Sequence, residues 1–424
     1  MPFIRFMQRT FYSLENPRYR VLWFGTLFSF LGMQMQVLAR GYLAFDLTGR
    51  NSALGGVMLA FGLPQLILSM WGGVLADRLP KRKVLWVAQG IIAINSAWLA
   101  TMIELGMVQY WMLVVAGIVQ GSGFAFVGPA RQAFISELVG KDKIGNAVVL
   151  QQLSMNSTRV IGPSIAGALI GIHFFGVAGV YYLTTLGFVI ASITLVKLPK
   201  GEPKKKSERS PVADLVDGFR YVKGRPSVSQ LILVAFAVMM LGFPYQSFLP
   251  ALAKEEYGVG ATGLGTMSSV AAIGAVTATI FVAAFASHQK AWFAQPILAC
   301  LFAGSLILLG MAPSFEAGLL AILLVGALAS AFQSLNNSLT MMLTEQEYHG
   351  RVQSISSMSF SLFGIAALPI GVLADHIGLR ETLGLMGGSA MAIVALLQVV
   401  AKLQHAADDR LPRIVATEAA AGGQ

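Results

Sequence analysis

A few polar and charged residues interrupt long apolar stretches of this chain, and their spacing is regular. Gln152, Asn156 and Arg159 fall at i, i+4 and i+7, so all three share one face of a helix. Gln36 and Arg40 share another face at i, i+4, with Asp46 further along. Gln333, Asn336, Asn337 and Thr340 mark a third stretch, and Tyr245 and Gln246 follow Pro244 in a fourth. Such residues bind and orient a ligand; they do not break bonds. No nucleophile–base pair stands out. His173, His288, His349, His376 and His405 are scattered without metal-ligand spacing. There is no G-x-x-x-x-G-K-S/T phosphate loop to draw on ATP. The single cysteine, Cys300, excludes an intrachain disulfide and sits among Leu and Ala as a packing residue. We expect no enzyme, no cofactor and no metal.

What positions these residues is set by composition. The 424-residue chain is 55% hydrophobic and only 12% charged, against roughly a quarter charged for a soluble domain. Its surface is therefore solvated mainly by lipid. The net charge of +10 does not indicate nucleic acid, because the basic residues cluster between apolar runs rather than along one face. A helix needs about 20 mostly apolar residues to cross the hydrocarbon core. Twelve runs qualify, at roughly 21–45, 53–76, 83–104, 109–132, 145–171, 177–198, 228–250, 262–286, 291–312, 316–342, 352–375 and 381–402. The first is too long, and lacks the cleavage site, to be a signal peptide.

Lys and Arg set the orientation. With the N-terminus cytoplasmic, the inner segments hold Arg5, Arg9, Arg18 and Arg20, then Arg78, Lys81, Arg82 and Lys83, and later Lys141, Lys143 and the basic central loop. The outer loops retain Arg50, Lys254 and Arg380. Both termini are expected inside. Residues 3–14, aromatic and basic, read as an amphipathic interfacial helix. The linker PKGEPKKKSERS, 199–210, divides the spans six and six, and 214–226 reads as a surface helix leading into span seven. The fold expected is an all-α polytopic membrane protein with two six-helix bundles, 1–198 and 227–405. A cytoplasmic linker at 199–226 joins them and a disordered tail follows at 406–424. A faint internal repeat agrees. Pro163 in span five and Pro369 in span eleven are separated by nearly the same interval as Gly145-Asn146-Ala147 and Gly350-Arg351-Val352.

The end of span two and the loop after it read GGVLADRLPKRKVL, 72–85. An acid here can approach the positive N-terminus of another helix, while Arg78 and Arg82 seek carboxylates or lipid phosphates. Such a clasp can hold one conformation and release another. Plain positive-inside anchoring would use Lys81 and Lys83 equally well. The segment resembles the loop 2–3 signature of the major facilitator superfamily, G-x-L-a-D-r-x-G-r-k/r. Gly73, Leu75, Ala76, Asp77, Arg78, Lys81 and Arg82 match it, and Pro80 stands where the pattern has Gly. NPRYRVLW at 16–23, FDLTG at 45–49, GPARQAFISELV at 128–139, RVIGPSIAG at 159–167 and GRVQSI at 350–355 resemble the branch holding enterobactin-exporter and macrolide-efflux-like proteins.

The resemblance implies two bundles around a cavity open alternately to either side. Spans one, four, seven and ten would line it, and spans two, five, eight and eleven would rock. It also implies that Asp77 and Arg78 stabilise the outward-open state against span eleven. From the residues themselves two readings stay open at each intramembrane cation, which costs about 2.5–3.5 kcal/mol to bury. Arg159 either meets an anionic substrate or donates to carbonyls freed near Gly162 and Pro163. Arg40 either gates with Asp46 or snorkels outward. Tyr245, Gln246, Gln333, Asn336 and Asn337 either line a cavity or bond between helices. Gly117, Gly121 and Gly123 read as helix-packing contacts.

Three functions compete. The first is export of a drug-like or siderophore-like amphipathic molecule, driven by protons. The others are nutrient import, and a non-transporting membrane sensor or scaffold. None of the twenty acids lies deep in a span, which leaves Asp46 as the best proton carrier unless the substrate itself titrates. The expected setting is the cell membrane, as a monomer among lipids. Reporter fusions test the topology: alkaline phosphatase joined within 200–225 is expected to stay inactive and green fluorescent protein to glow, and the reverse pattern would invert the whole orientation.

Overall fold

The computed structural model describes residues 12–140, 143–172, 174–201, 211–285 and 291–405. The interfacial helix expected at 3–14 lies outside these residues except for a 3-10 turn at Tyr12–Glu15, as do most of the 199–210 linker and the tail from 406. Among the described residues the chain is helical with no strand.

The helices are α1 Pro17–Thr48, α2 Asn51–Arg78, α3 Lys81–Glu104, α4 Tyr110–Val139, α5 Ile144–Gly171 and α6 Gly176–Val196. After the linker come α7 Pro211–Lys223, α8 Pro226–Leu241, α9 Tyr245–Ala251, α10 Gly260–Phe285, α11 Ala291–Met311, α12 Phe315–Leu343, α13 His349–Ile377 and α14 Leu379–His405. Among the described residues, ten helical segments are long and apolar enough to cross a membrane. The helices that correspond to spans five and eleven are α5 and α13, and Leu362–Ile377 is an apolar stretch of α13. Span seven differs from the single helix expected at 228–250. It breaks at Gly242–Pro244, where Pro244 has no N–H to continue the ladder, resumes as α9 and ends in a π turn at Leu252–Glu256.

Local chemistry explains the ends. The Asn16 side chain accepts from the N–H groups of Arg18 and Tyr19 and so caps α1, with Pro17 pre-set for the first turn. Gly49 closes α1 in the left-handed region, at φ 62°, and its N–H donates to the Phe45 carbonyl. Pro80, at φ −56°, sits at the N-cap of α3. The α2–α3 turn needs no left-handed residue there, so proline replaces the glycine of the family pattern without strain.

The chain forms two compact units. One comprises Met1–Gly49, Ala60–Pro211 and Gly260–Thr266; the other comprises Arg50–Leu59, Val212–Val259 and Met267–Gln424. In the first, α1 packs on α5 and α6, and α3 on α4 and α6. Its interior is built from Tyr19, Leu22, Leu85, Ile92, Phe124, Phe134 and Phe188. The Tyr19 hydroxyl donates to the Ala147 carbonyl at 2.8 Å and Trp23 Nε1 to the Leu150 carbonyl at 3.0 Å, which fixes α1 against α5. In the second unit, α11 packs on α12 and α14, while α8 is flanked by α13 and α14. The surface helix α7 docks there too: Tyr221 stacks on Tyr348 at 4.1 Å, Arg225 pairs with Glu345, and Val222 joins Val352 and Ile355.

Between helices in lipid there is little hydrophobic gain, so close backbone approach decides the packing. Outward-facing residues such as Ile94 (73% exposed) and Phe281 (72%) are left for the acyl chains. Inside the first unit, a Cβ on Gly72 would collide with the Ala125 carbonyl and one on Gly121 with the Phe61 carbonyl, so α2 and α4 touch backbone to backbone. Gly90 faces open space. Gly121→Val is therefore expected to destabilise by about 1–3 kcal/mol. Thermal melting in detergent should show this while Gly90→Ala melts like the wild type; equal melting of the two would remove the crossing from the account.

Candidate functional site

The described part of the first unit contains a buried polar network. Arg40 of α1, 1% exposed, donates through Nη2 to the Gln120 side-chain oxygen of α4. Gln120 donates in turn to Gln36, one turn before Arg40, and Gln36 donates to Ser96 of α3. Tyr181 of α6, also buried, lies within electrostatic reach of the guanidinium. Four helices are thus joined through side-chain dipoles around one positive charge. The i, i+4 spacing of Gln36 and Arg40 does place them on one face, as the sequence implies. Asp46 is elsewhere: it is exposed near the helix end, six positions beyond Arg40 and so turned to the other side of a 3.6-residue helix. Arg40 forms no ion pair with it. In this structure the partner of Arg40 is the Gln120 amide.

Arg131 of α4 is also buried, with its guanidinium 4.7 Å from the Phe30 ring centre and Nη2 3.4 Å from Ser29 Oγ. Among the described residues, Arg40, Lys81 and Arg131 are buried and no Asp or Glu is. The interior charge is positive. Arg159 is half-buried on α5 and engaged with other groups; the side chains of its expected companions Gln152 and Asn156 lie outside the described set. The α5 and α13 helices run unbroken through Pro163 and Pro369, and the Gly162 position is pressed against Gln34 of α1.

The loop 72–85 is tied down by its basic residues. Arg82 Nη1 donates to the Leu198 carbonyl at 2.7 Å and its backbone N–H to the Lys200 carbonyl, so a cation closes the C-terminal end of α6. Lys81, 1% exposed, lies 3.6 Å from Glu137 near the end of α4. Arg78 is exposed. Gly73 and the Asp77 side chain lie outside the described set.

In the second unit, Asn336 of α12 is buried and accepts from Gln295 Nε2 of α11 at 3.0 Å, an interhelical bond. Asn337 is exposed and Gln333 is half-buried with partners of its own. Tyr245 is buried against Phe302, while Gln246 is exposed.

The sequence profile of transmembrane secretion effectors matches residues 8–419, nearly the whole chain. The chain belongs to that family, within the major facilitator superfamily. It is similar to the staphyloferrin A transporter of Staphylococcus aureus, 25% identical over 82% of this chain and 88% of the relative. It is similar to macrolide efflux protein A of Streptococcus pyogenes, at 22% over 91% and 96%. It also resembles the enterobactin exporter of Escherichia coli K12, at 25% over 92% and 93%. Two solved structures share the fold. The nucleoside transporter NupG has a TM-score of 0.68 at 13% identity, covering 90% of this chain and 98% of its own. A bacterial homologue of the human lysosomal transporter Spinster, in an inward-facing and unoccupied conformation, has 0.68 at 14%, covering 94% and 97%. This family member is a multi-pass membrane transporter of small molecules, not an enzyme.

Sequence reasoning missed Gln120, Ser96, Gln295 and Arg131 as partners in the transporter's interior. Gln120 was legible as an amide in an otherwise apolar run, one residue before Gly121, but its partner lies 80 positions away. Gln120→Leu should lower the melting temperature through a loss of about 1–3 kcal/mol, since a buried charge loses its acceptor. Adding Arg40→Met should recover most of that loss. A double variant no more stable than Gln120→Leu alone would show that the Gln120 amide does not serve Arg40.

Proposed function

We propose that this transporter exports a small amphipathic molecule, drug-like or siderophore-like, across the cytoplasmic membrane by alternating access. What carries this reading is its similarity, over more than nine-tenths of the chain, to an enterobactin exporter and a macrolide efflux protein. The interior chemistry agrees with an amphipathic cargo. Among the described residues, its buried polar groups are amides, hydroxyls, two guanidinium groups and the Lys81 ammonium, set among Phe, Leu and Ala, and no carboxylate is buried. A cargo carrying an anionic or catechol-like group would find donors there.

Protons are the proposed counter-ion, and the absence of a buried carboxylate among the described residues bears on how they couple. A deep carboxylate with a raised pKa is the simplest carrier. Without one, the proton travels on an acid near a span end, such as Asp46, or on the cargo. We take both termini to be cytoplasmic and the working form to be a monomer in the lipid bilayer. Uptake of the same class of molecule is the second reading, favoured by the similarity to a siderophore transporter whose name states no direction.

A susceptibility panel of macrolides and siderophores in a pump-deficient bacterial host tests the export reading. The wild type should raise the inhibitory concentration of at least one compound, and Asp77→Asn should return it to the level of the empty host. Equal sensitivity of host, wild type and variant would exclude export.

A further inference from the structure

The helix α2 begins without a cap of its own. An α-helix leaves its first N–H groups unsatisfied. In α1 and α12 the chain supplies local acceptors, Asn16 and Ser314. Before α2 stands Arg50, whose side chain has donors and no acceptor. The acceptor comes instead from the far end of α13. Asp375 Oδ1 takes the Asn51 N–H at 2.6 Å and Oδ2 takes the Ser52 N–H at 3.0 Å, across 324 and 323 positions of sequence. Both carboxylate oxygens are used, and the charge sits at the positive end of the helix dipole. The nearby Arg380 is engaged with Glu256 and the Ala312 carbonyl.

The two backbones also meet just inside this carboxylate. A Cβ on Gly371 would collide with the Asn51 carbonyl and Ser52 Cα, and one on Gly55 with the Ala367 carbonyl and Leu368 Cα. Gly371 and Gly55 each lie one turn from Asp375 and Asn51 respectively, so the two helices close there without side chains between them. The sequence GVLAD at 371–375 that makes the contact is repeated at 73–77, the end of α2 itself. Each of these two helices thus ends in the same acid-tipped pentapeptide.

The division of α2 gives this contact a mechanical meaning. Its first turns, Arg50–Leu59, belong to one compact unit, and from Ala60 onward it belongs to the other. Pro64 lies inside the helix and removes the hydrogen bond that would reach the carbonyl of Ala60, at that boundary. A helix held at its tip by Asp375 and weakened at Ala60–Pro64 can bend there while the tip is held.

We propose that Asp375 is a releasable latch: its carboxylate holds the first turn of α2 against α13, and the transport cycle opens this latch so that Arg50–Leu59 can leave with the rest of α2. This rests on the alternating-access reading; positive-inside places the latch at the extracytoplasmic ends of both helices.

The test uses the full-length protein in lipid nanodiscs, with Cys300→Ser and spin labels on cysteines introduced at the exposed positions Arg50 and Leu385. Pulsed electron resonance should give one short distance in this background. Asp375→Asn is expected to raise the longer-distance population about tenfold, the ratio for losing about one charge-assisted hydrogen bond. Ser52→Pro, which deletes one donor and leaves the acid intact, should shift the distribution in the same direction, and it carries the test if the Asp375 variant does not elute as a single species. Unchanged distances in Ser52→Pro, or in a well-folded Asp375→Asn, overturn the latch. That outcome would leave export untouched, because the distances are read without cargo; a failed susceptibility panel would likewise leave the latch readable.

Discussion

A guanidinium inside a helix bundle must find acceptors in place of water, and Arg40 finds one in the Gln120 amide. Burying such a charge in a bilayer costs about 2.5–3.5 kcal/mol on the lenient insertion scale. The chain meets that cost with Gln120, whose own donor is passed to Gln36 and on to Ser96. Each link comes from a different helix or a different turn, so the network fixes the rotation of α1, α3 and α4 together. Satisfying one charge thereby orders the bundle, and the glycine crossings that bring α2 and α4 backbones into contact do the rest.

The same constraint shapes the chemistry. With Arg40, Lys81 and Arg131 buried and no buried acid among the described residues, the protein interior is electropositive. A neutral amide partner leaves a guanidinium charged, whereas a carboxylate would have cancelled it. Negative charge for the interior is then left to a cargo or to acids near the span ends.

Much of the architecture was legible because lipid enforces it. Length, hydropathy and the placement of Lys and Arg revealed most of the helices, and the loop 72–85 revealed the family. Pairings were less legible. Gln36 and Arg40 could be put on one face from their spacing, yet Asp46 looked like a partner only because it is near in sequence. Asn336 could not be told from a cavity liner until Gln295 was found opposite. Asp375 looked like one more acid near a span end, since nothing local shows that Arg50 leaves α2 without a cap that a residue 324 positions away supplies.

The central claim is that this helical membrane protein moves an amphipathic solute against its gradient. Inside-out membrane vesicles carrying an imposed pH gradient measure that directly, with a labelled macrolide or catechol siderophore as cargo. The account predicts accumulation in vesicles that contain the protein, collapsing when a protonophore is added. Accumulation no greater than in vesicles from the host without the protein, across the compounds that the host tolerates only when it is expressed, would contradict it.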